Sequence, residues 1–457
     1  MMKFIADFHV HSHFSIATSS RLVPEWLDYW ARLKGITVVG TGDFTHPGWL
    51  QELKEKLEPA EPGLFRLRER FRKGELAAFP RALERTVRFM LTGEISSIYK
   101  KNGRVRKVHS LLFAPDWGTV EKLQRELKAL KGNITSDGRP ILRIDSRELL
   151  KLALDVSGGS IFFVPAHIWT PWFSVLGGKS GFDSIEECFE DLSPYIYAVE
   201  TGLSSDPPMN RMCRFLDRYT LISNSDAHSP EKIGREANLF EAELSYGSIL
   251  KAIQEGTSSR FLGTLEFFPQ EGKYHFDGHR KCAIRLHPDE AIRLGGICPT
   301  CGKPLTIGVL NRVLQLKDVK EGNGGELRHP FHTLIPIREI MAEILRTGPE
   351  AKKVDEFHSH LLKELGPELP ILIDAPIDEI RRAGGDELAE GVSRMRRGEV
   401  LIEEGYDGEY GRIRVFAENE GGRDWNPQMG GEENARGARR FSAETSERNL
   451  KKKHFDI

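Results

Sequence analysis

Between Lys3 and Tyr246 short apolar runs alternate with stretches of helical periodicity, and this alternation limits the fold more than any other feature of the chain. The runs are Phe4 to Val10, Ile36 to Gly40, Phe89 to Ile95, Val108 to Phe113, Ile161 to Pro165, Ile196 to Val199 and Leu221 to Ser223. Strands that take turns with helices pair mostly in parallel, so an α/β barrel or an open α/β sheet is expected. From Gln51 to Arg88 the pattern gives way to an Arg-rich, partly helical insertion around Leu64-Phe65-Arg66-Leu67-Arg68-Glu69-Arg70-Phe71-Arg72-Lys73, a face either solvated or turned to phosphates. Lys100-Lys101-Asn102-Gly103-Arg104 reads as a hairpin tip, because Asn-Gly takes the positive φ of a tight turn. Such a hairpin sets Glu94 and His109 roughly opposite one another.

A chain of 457 residues is too long for one core and predicts about three domains. The α/β domain is expected at 1–245, followed by a linker at 246–273 and a Cys/His-dense unit at 274–310. A helical, then α+β, region is expected at 311–420, including Gly405-Tyr406-Asp407-Gly408-Glu409-Tyr410-Gly411, and a disordered tail at 421–457. Lys plus Arg (65) nearly equals Asp plus Glu (67), which excludes a polycation and confines any nucleic-acid site to a local patch. No apolar run approaches 18 residues, and the opening Met-Met-Lys-Phe-Ile-Ala-Asp-Phe-His lacks a signal-peptide core. A soluble, cytoplasmic protein without a membrane partner is expected. Five cysteines are too few and too odd in number for a disulfide framework.

Asp7-Phe8-His9-Val10-His11-Ser12-His13 alternates polar with apolar, which puts Asp7, His9, His11 and His13 on one face of a strand. A row of imidazoles beside an aspartate suits a metal. Later strand ends add Thr41-Gly42-Asp43-Phe44-Thr45-His46, Thr92-Gly93-Glu94, Val108-His109, Pro165-Ala166-His167 and Asn224-Ser225-Asp226-Ala227-His228. In parallel α/β folds such residues converge at the carboxyl ends of the strands. Clustered divalent ions lower the pKa of a bound water, place it in line with phosphorus and stabilise the leaving oxygen, so phosphate-ester hydrolysis needs no serine or cysteine nucleophile. Imidazole and carboxylate ligands fit zinc or manganese, with magnesium a further candidate. Cys188 and Cys213, in helical contexts, read as buried structural residues.

In order and type these motifs resemble those of the polymerase and histidinol phosphatase (PHP) superfamily over about residues 1 to 245. The Arg-rich insertion, His167-Ile168-Trp169-Thr170-Pro171-Trp172-Phe173-Ser174, the Cys/His unit at 275 to 301 and the segment 405 to 411 resemble, within that superfamily, the endonuclease Q family. The resemblance implies a distorted (β/α)7 barrel and a DNA repair nuclease that nicks 5′ of deaminated bases such as uracil and hypoxanthine, with damaged DNA as partner and the nucleoid as workplace. It implies one metal on His9, His11, Glu94 and Asp226, a second on Glu94, His109 and His167, and a third on His228 with residues of the second motif. There the sequence departs from the family: the usual Thr-Asp-His is replaced by Gly42-Asp43-Phe44-Thr45-His46, which makes Asp43 the expected ligand and displaces His46. Catalysis would centre on His11, Glu94, Asp226 and His228.

His279-x-x-Cys282 and Cys298-x-x-Cys301 supply two knuckles for a closed, structural zinc site, with His275 or Asp277 as alternatives to His279. A nuclease that acts on a damaged base draws the nucleotide into a pocket lined by aromatics. Trp169, Trp172 and Phe173, just after His167, are the candidates for that contact, and the loop with Ser204 is a second pocket wall. Lys100, Lys101, Arg104, Arg106 and Lys107 on the hairpin are candidates for backbone phosphates. The terminal stretch Glu447 to Phe455 bears a faint likeness to a sliding-clamp peptide but lacks its leading Gln and paired aromatics. Two competing readings are a PHP-type phosphomonoesterase, which would leave the zinc unit without a task, and a DNA-binding module that has lost catalysis, which the nearly complete ligand set opposes.

Overall fold

The computed structural model describes residues 1–318, 328–417 and Glu420; the expected tail at 421–457, with its clamp-like stretch, lies outside the described residues. Nine strands frame the first part of the chain: β1 (Met2–Asp7), β2 (Val38–Gly40), β3 (Arg88–Lys101), β4 (Arg104–Ala114), β5 (Phe162–Pro165), β6 (Ala198–Glu200), β7 (Thr220–Ile222), β8 (Ala237–Ala242) and β9 (Phe261–Glu266). The main sheet runs β9-β8-β1-β2-β3-β4-β5, and β6 pairs with β7 separately.

The expected α/β fold is present, but the sheet is mixed rather than mostly parallel. Pairs β1·β2, β2·β3 and β6·β7 are parallel, whereas β1·β8, β8·β9, β3·β4 and β4·β5 are antiparallel. The expected (β/α)7 barrel does not close as a continuous ladder among the described residues. Where β7 passes β1, side chains replace the ladder: Phe8 N–H donates to Asn224 Oδ1 at 2.9 Å, and Ser223 N–H donates to Asn238 Oδ1 at 3.0 Å. These two amides satisfy buried backbone groups that strand pairing would otherwise have taken.

The core beneath the sheet is aromatic. Phe4 stacks on Phe240, Phe8 meets Phe113 edge-on, and Phe240 meets Phe261, all with centroids 5.3 to 5.4 Å apart, in the geometry that ring quadrupoles favour. The helix Pro24–Lys34 starts with proline at its first position, stops at Gly35 in left-handed backbone, and buries Leu27 and Ala31.

The hairpin is observed, with Asn102 and Gly103 both at positive φ at its tip. His109 pairs with Ser96 and Glu94 with Leu111, so Glu94 and His109 are diagonal neighbours on one face rather than directly opposed. The Arg-rich insertion is partly helical, as expected, but its arginine run is built from a short strand pair and 3-10 turns. Leu57–Pro59 and Phe65–Leu67 form a short antiparallel pair, and 3-10 turns follow. Its arginines meet acids, Arg66 with Glu58 at 2.8 Å and Arg72 with Glu69 at 2.7 Å, as on a solvated face.

The chain divides into two compact units, Met1–Leu334 with Ile402–Ile413, and Ile335–Leu401 with the segment from Arg414. Within the first, Asp277–His279 and Ile284–Leu286 form the knuckle hairpin of the Cys/His region. The segment 405–411 returns to this region: Phe276 N–H donates to Gly405 O, while Arg280 N–H and Thr306 Oγ1–H donate to Asp407. The second unit is helical, with Ile340, Met341, Phe357, Leu361, Leu388 and Val392 buried between its helices. Among the described residues no helix is long and apolar enough to cross a membrane.

Candidate metal centre

Strand β1 ends at Asp7, and the segment beyond it runs beside the loop after β7 through the bridge between Val10 and Ala227. The expected one-sided row of four polar residues therefore breaks up. Asp7 pins the neighbouring loop by accepting from Ser225 N–H and Gly234 N–H, and His13 turns to Glu52 at 2.8 Å. His9 and His11 turn into the centre.

Two triads result, each with ligand-type atoms within 4.8 Å of one another: His9, His11 and Asp226, and Glu94, His109 and His167. Glu94 joins them. Its Oε1 lies 2.6 Å from His109 Nδ1 and 3.1 Å from His167 Nε2, while its Oε2 lies 3.6 Å from both His9 Nε2 and His11 Nε2. A carboxylate with one oxygen toward each imidazole pair has the disposition of a bridging ligand.

The outer contacts fix the tautomers. Glu200 meets His9 Nδ1 at 3.0 Å, Asp43 meets His11 Nδ1 at 3.1 Å, and Thr170 meets His167 Nδ1 at 3.0 Å. In each ring the opposite nitrogen, Nε2, faces inward, as in carboxylate–histidine–metal arrangements. His9 Nε2 is buried without a hydrogen-bond partner. Such an orphan is costly unless a cation completes it, so the residues present fit divalent metals.

The charges agree with that reading. Burial opposes protonation of His9, yet Glu200 and Glu94 hold its pKa well above the ordinary imidazole value. Burial likewise works against His11, and Asp43 and Asp226 lift it to about 9. Glu94 and Asp226, which burial alone would raise, are held low by the facing imidazoles, with Arg139 helping at Glu94. Burial drags His109 down to about 4 despite Glu94, so its ring is a neutral donor at neutral pH. Imidazolium charge here balances carboxylates that a cation would otherwise balance.

Asp43 lies behind His11 rather than in either triad. Its Oδ2 accepts from Ser12 N–H, Ser12 Oγ–H and Ser15 Oγ–H at 2.6 to 2.8 Å. His228 stands at the rim, its side chain 38% exposed, its ring centroid 4.6 Å from that of His11 and its Nδ1 2.8 Å from the Asp226 carbonyl, which leaves Nε2 as the lone-pair atom. His46 caps the helix Pro47–Lys56 and reaches Thr135 O. Asp43, His167 and Asp226 all hold left-handed backbone, with φ of 49°, 28° and 47°, a conformation non-glycine residues keep where the surroundings impose it.

Two members of the centre carry no motif, Glu200 and Arg139. Glu200 ends the buried run Ala198-Val199-Glu200, and an acid closing an apolar strand was its signal. Arg139 sits in a turn-like stretch with no such signal, and its Nη1 lies 3.1 Å from Glu94 Oε2.

The aromatic candidates separate. Trp169 is fully buried, donates to Asn210 Oδ1 at 2.8 Å and is closed to a base; indole burial against an amide partner explains the departure from expectation. Trp172 is 41% exposed and meets Tyr274 edge-on. Phe173 is half-buried, its ring centroid 4.8 Å from that of His109. Ser204 lies half-buried on the loop whose Gly202 passes so near His167 that an added Cβ would stand 2.4 Å from the His167 Cβ. Lys100 and Arg104 are exposed at the hairpin tip, and six residues at about 3.3 Å each put Lys100 roughly 20 Å along the strand from Glu94. Lys101 pairs with Glu190 at 2.7 Å, and Arg106 is buried over Phe182. Lys107 lies over Phe173.

In the Cys/His region His279, Cys282, Cys298 and Cys301 bring their ligand atoms within 4.8 Å of one another. Asp277 is engaged by Gly308 N–H and Asn311 Nδ2–H, which removes it as a ligand. Burial would raise the Cys298 thiol, but the N–H groups of Cys301 and Thr300 and the His279 ring bring it to about 6, while hydrogen bonding to Cys301, burial and Cys298 push Cys282 up to about 11. Crowded thiols of this kind are relieved by a tetrahedral cation. Cys188 and Cys213 are buried, as expected.

A family model described as PHP-associated matches residues 210–258, and one described as the MJ0043 C-terminal domain matches residues 336–399. The uncharacterized protein MJ0043 of Methanocaldococcus jannaschii is 34% identical over 255 residues, and the match spans 54% of this chain but only 31% of that relative's length. The crystal structure of a lesion-specific endonuclease from Pyrococcus furiosus is similar with a TM-score of 0.78 and 32% identity, covering 90% of this chain and 95% of its own. Endonuclease Q in complex with a 27-mer duplex bearing an abasic lesion at the active site is similar with a TM-score of 0.77 and 32% identity, covering 93% and 100%. With near-complete coverage at this identity, the chain belongs to the endonuclease Q family of the PHP superfamily.

Proposed function

We propose that this protein is a metal-dependent DNA repair endonuclease that hydrolyses the phosphodiester on the 5′ side of a deaminated base, uracil or hypoxanthine, with xanthine and abasic sites in its wider range. The observation that carries the reading is Glu94, whose two oxygens face the two imidazole sets. Bound divalent ions would supply an activated water and neutralise the leaving oxygen.

The chain's own groups set the rest. Glu200 and Asp43 hold His9 and His11 with Nε2 inward. In this reading Glu94, His109 and His167 hold one ion, His9, His11, Asp226 and Glu94 a second, and His228 belongs to a third position at the rim, whereas Asp43, expected there from the sequence, is buried with its oxygens taken by His11, Ser12 and Ser15 and orients His11 instead. Phe173 and Trp172, at the open side, meet the displaced nucleotide, and Ser204 lines the same pocket. Lys107 is nearest the centre among the hairpin cations, whereas Lys100 and Arg104 would touch the backbone farther out. Four-ligand closure makes the Cys/His site structural zinc. Such an enzyme works in the cytoplasm on nucleoid DNA.

The test is incubation with a strand carrying one uracil or hypoxanthine, beside an undamaged strand and p-nitrophenyl phosphate, with Mg²⁺, Mn²⁺ or Zn²⁺. A nick immediately 5′ of the damaged base supports the proposal. Ester hydrolysis with both strands intact overturns it.

A further inference from the structure

Arg139 brings a permanent positive charge to the place where the candidate metal ligands converge. Its side chain is 24% exposed, and its Nη1 lies 3.1 Å from Glu94 Oε2, the oxygen that faces His9 and His11. Burial lowers the affinity of the guanidinium for its proton, but Glu94 and Asp226 raise it further, so the group is charged at every working pH.

The loop that carries it is fastened from several sides. Gly138 N–H donates to Phe14 O at 3.0 Å, Ile16 N–H and Arg139 N–H both donate to Asp137 Oδ1 at 3.2 Å, and Ser96 N–H donates to Pro140 O at 3.0 Å. Thr45 Oγ1–H donates to Gly138 O at 3.3 Å, and His46 Nε2 meets Thr135 O at 3.1 Å. His46 Nδ1 accepts from Trp49 N–H, which leaves Nε2–H as the donor to the loop. Position 138 must be glycine: a Cβ there would stand 2.3 Å from Asp43 Oδ2 and 2.5 Å from Ser15 Oγ. The loop is thus pressed onto the residue behind His11, and the next side chain reaches over the metal centre. A guanidinium beside two occupied cation sites is repelled by them unless an anion enters with them. Its planar fork of donors matches phosphate oxygens.

We propose that Arg139 contacts the non-bridging oxygens of the scissile phosphate, exchanging Glu94 for the substrate once cations are bound, and that His46 is a positioning residue that holds the Arg139 loop in place. The displaced histidine of the second motif thereby has a task outside ligation. This rests on the nuclease reading for the identity of the phosphate.

The experiment compares the full chain with R139A, R139K and H46N, each loaded with Mn²⁺, for bound metal, affinity for inorganic phosphate, duplex affinity and single-turnover nicking of a uracil-containing duplex. Loss of one preorganised charge-stabilising donor lowers the rate by about 10² to 10³-fold. R139A is expected to lose that much nicking and roughly tenfold or more in phosphate affinity, with metal content unchanged and duplex affinity within a few-fold; R139K falls between. Asparagine keeps the helix cap but not the loop contact, so H46N is expected to lose less, and nothing further in the R139A background, because coupled residues are non-additive. R139A with wild-type phosphate affinity and nicking overturns the proposal, as does R139A that loses metal. If the wild type binds phosphate through Arg139 and nicks no duplex, the nuclease reading fails and the anion contact stands.

Discussion

Glu200 stands directly behind His9, its carboxylate 3.0 Å from Nδ1, so that Nε2 is the nitrogen directed into the centre. The same carboxylate accepts His167 N–H at 2.8 Å and Asn224 Nδ2–H at 2.8 Å, tying together three strand ends. Removing its charge loosens the orientation of His9 and lowers its basicity. Glu200→Gln is expected to weaken metal binding by about 10- to 100-fold, the usual loss for an outer-shell carboxylate. Competition with a chelating dye reads this directly, and an unaltered affinity would show that His9 is oriented by something else.

Glu94→Ala removes the group shared by both triads. Nicking should fall about 10³-fold or more, the scale of losing a central catalytic group, with duplex affinity largely retained. Gel shift and cleavage on the same substrate separate the two, and loss of binding along with cleavage would argue for a folding role instead.

Cys298→Ser should release one zinc per chain. The region around 274–310 has a small core of Ala291, Cys298 and Leu305, so a bound zinc would supply much of its folding free energy. Limited proteolysis should cut the variant there while the wild type resists, and equal resistance would mean that packing alone holds the region.

Trp169 and Phe173 are four residues apart and should behave in opposite ways. Trp169→Ala empties a fully buried site and should cost about 3 to 5 kcal/mol of stability. Phe173→Ala should leave the melting temperature nearly unchanged and reduce discrimination between damaged and undamaged strands. Equal nicking ratios in that variant would remove Phe173 from the lesion pocket.

Glu266 gives a pH dependence apart from the metal ligands. It is wholly buried, and burial raises its pKa to about 8 although Thr264, Ser223 and Thr201 donate to it. The unfolded chain ionises near the usual carboxyl value while the folded chain stays protonated, so stability is fullest below the unfolded pKa and falls as pH rises toward 8. Glu266→Gln should flatten that slope, shifting melting temperatures by a few °C across the interval. Parallel slopes in the two proteins would refute the assignment.

Much of the candidate centre is legible because its residues are the types that metals demand, placed at the ends of apolar runs: His9, His11, Glu94, His109, His167 and Asp226 all read in this way. Arg139 is invisible at that level. Nothing in Ser136-Asp137-Gly138-Arg139-Pro140 distinguishes it from any turn until the loop is seen pressed against Asp43. The fold shows the same division. Asn102-Gly103 announces the β3–β4 hairpin locally, but the antiparallel pairing of β1 with β8 joins Ala6 to Asn238, and no local pattern encodes a partner that far along the chain. Trp169 misleads because it follows His167, a member of the candidate centre, whereas its own side chain is buried against Asn210.

The left-handed backbone at Asp43, His167 and Asp226 sets stability against catalysis within the same three positions. Glycine would relax each of them, so a screen for heat resistance alone should recover Asp226→Gly or His167→Gly among its winners. Every such winner would be inert. Persistence of these side chains under pressure toward thermostability would therefore measure how strongly the chemistry itself is selected.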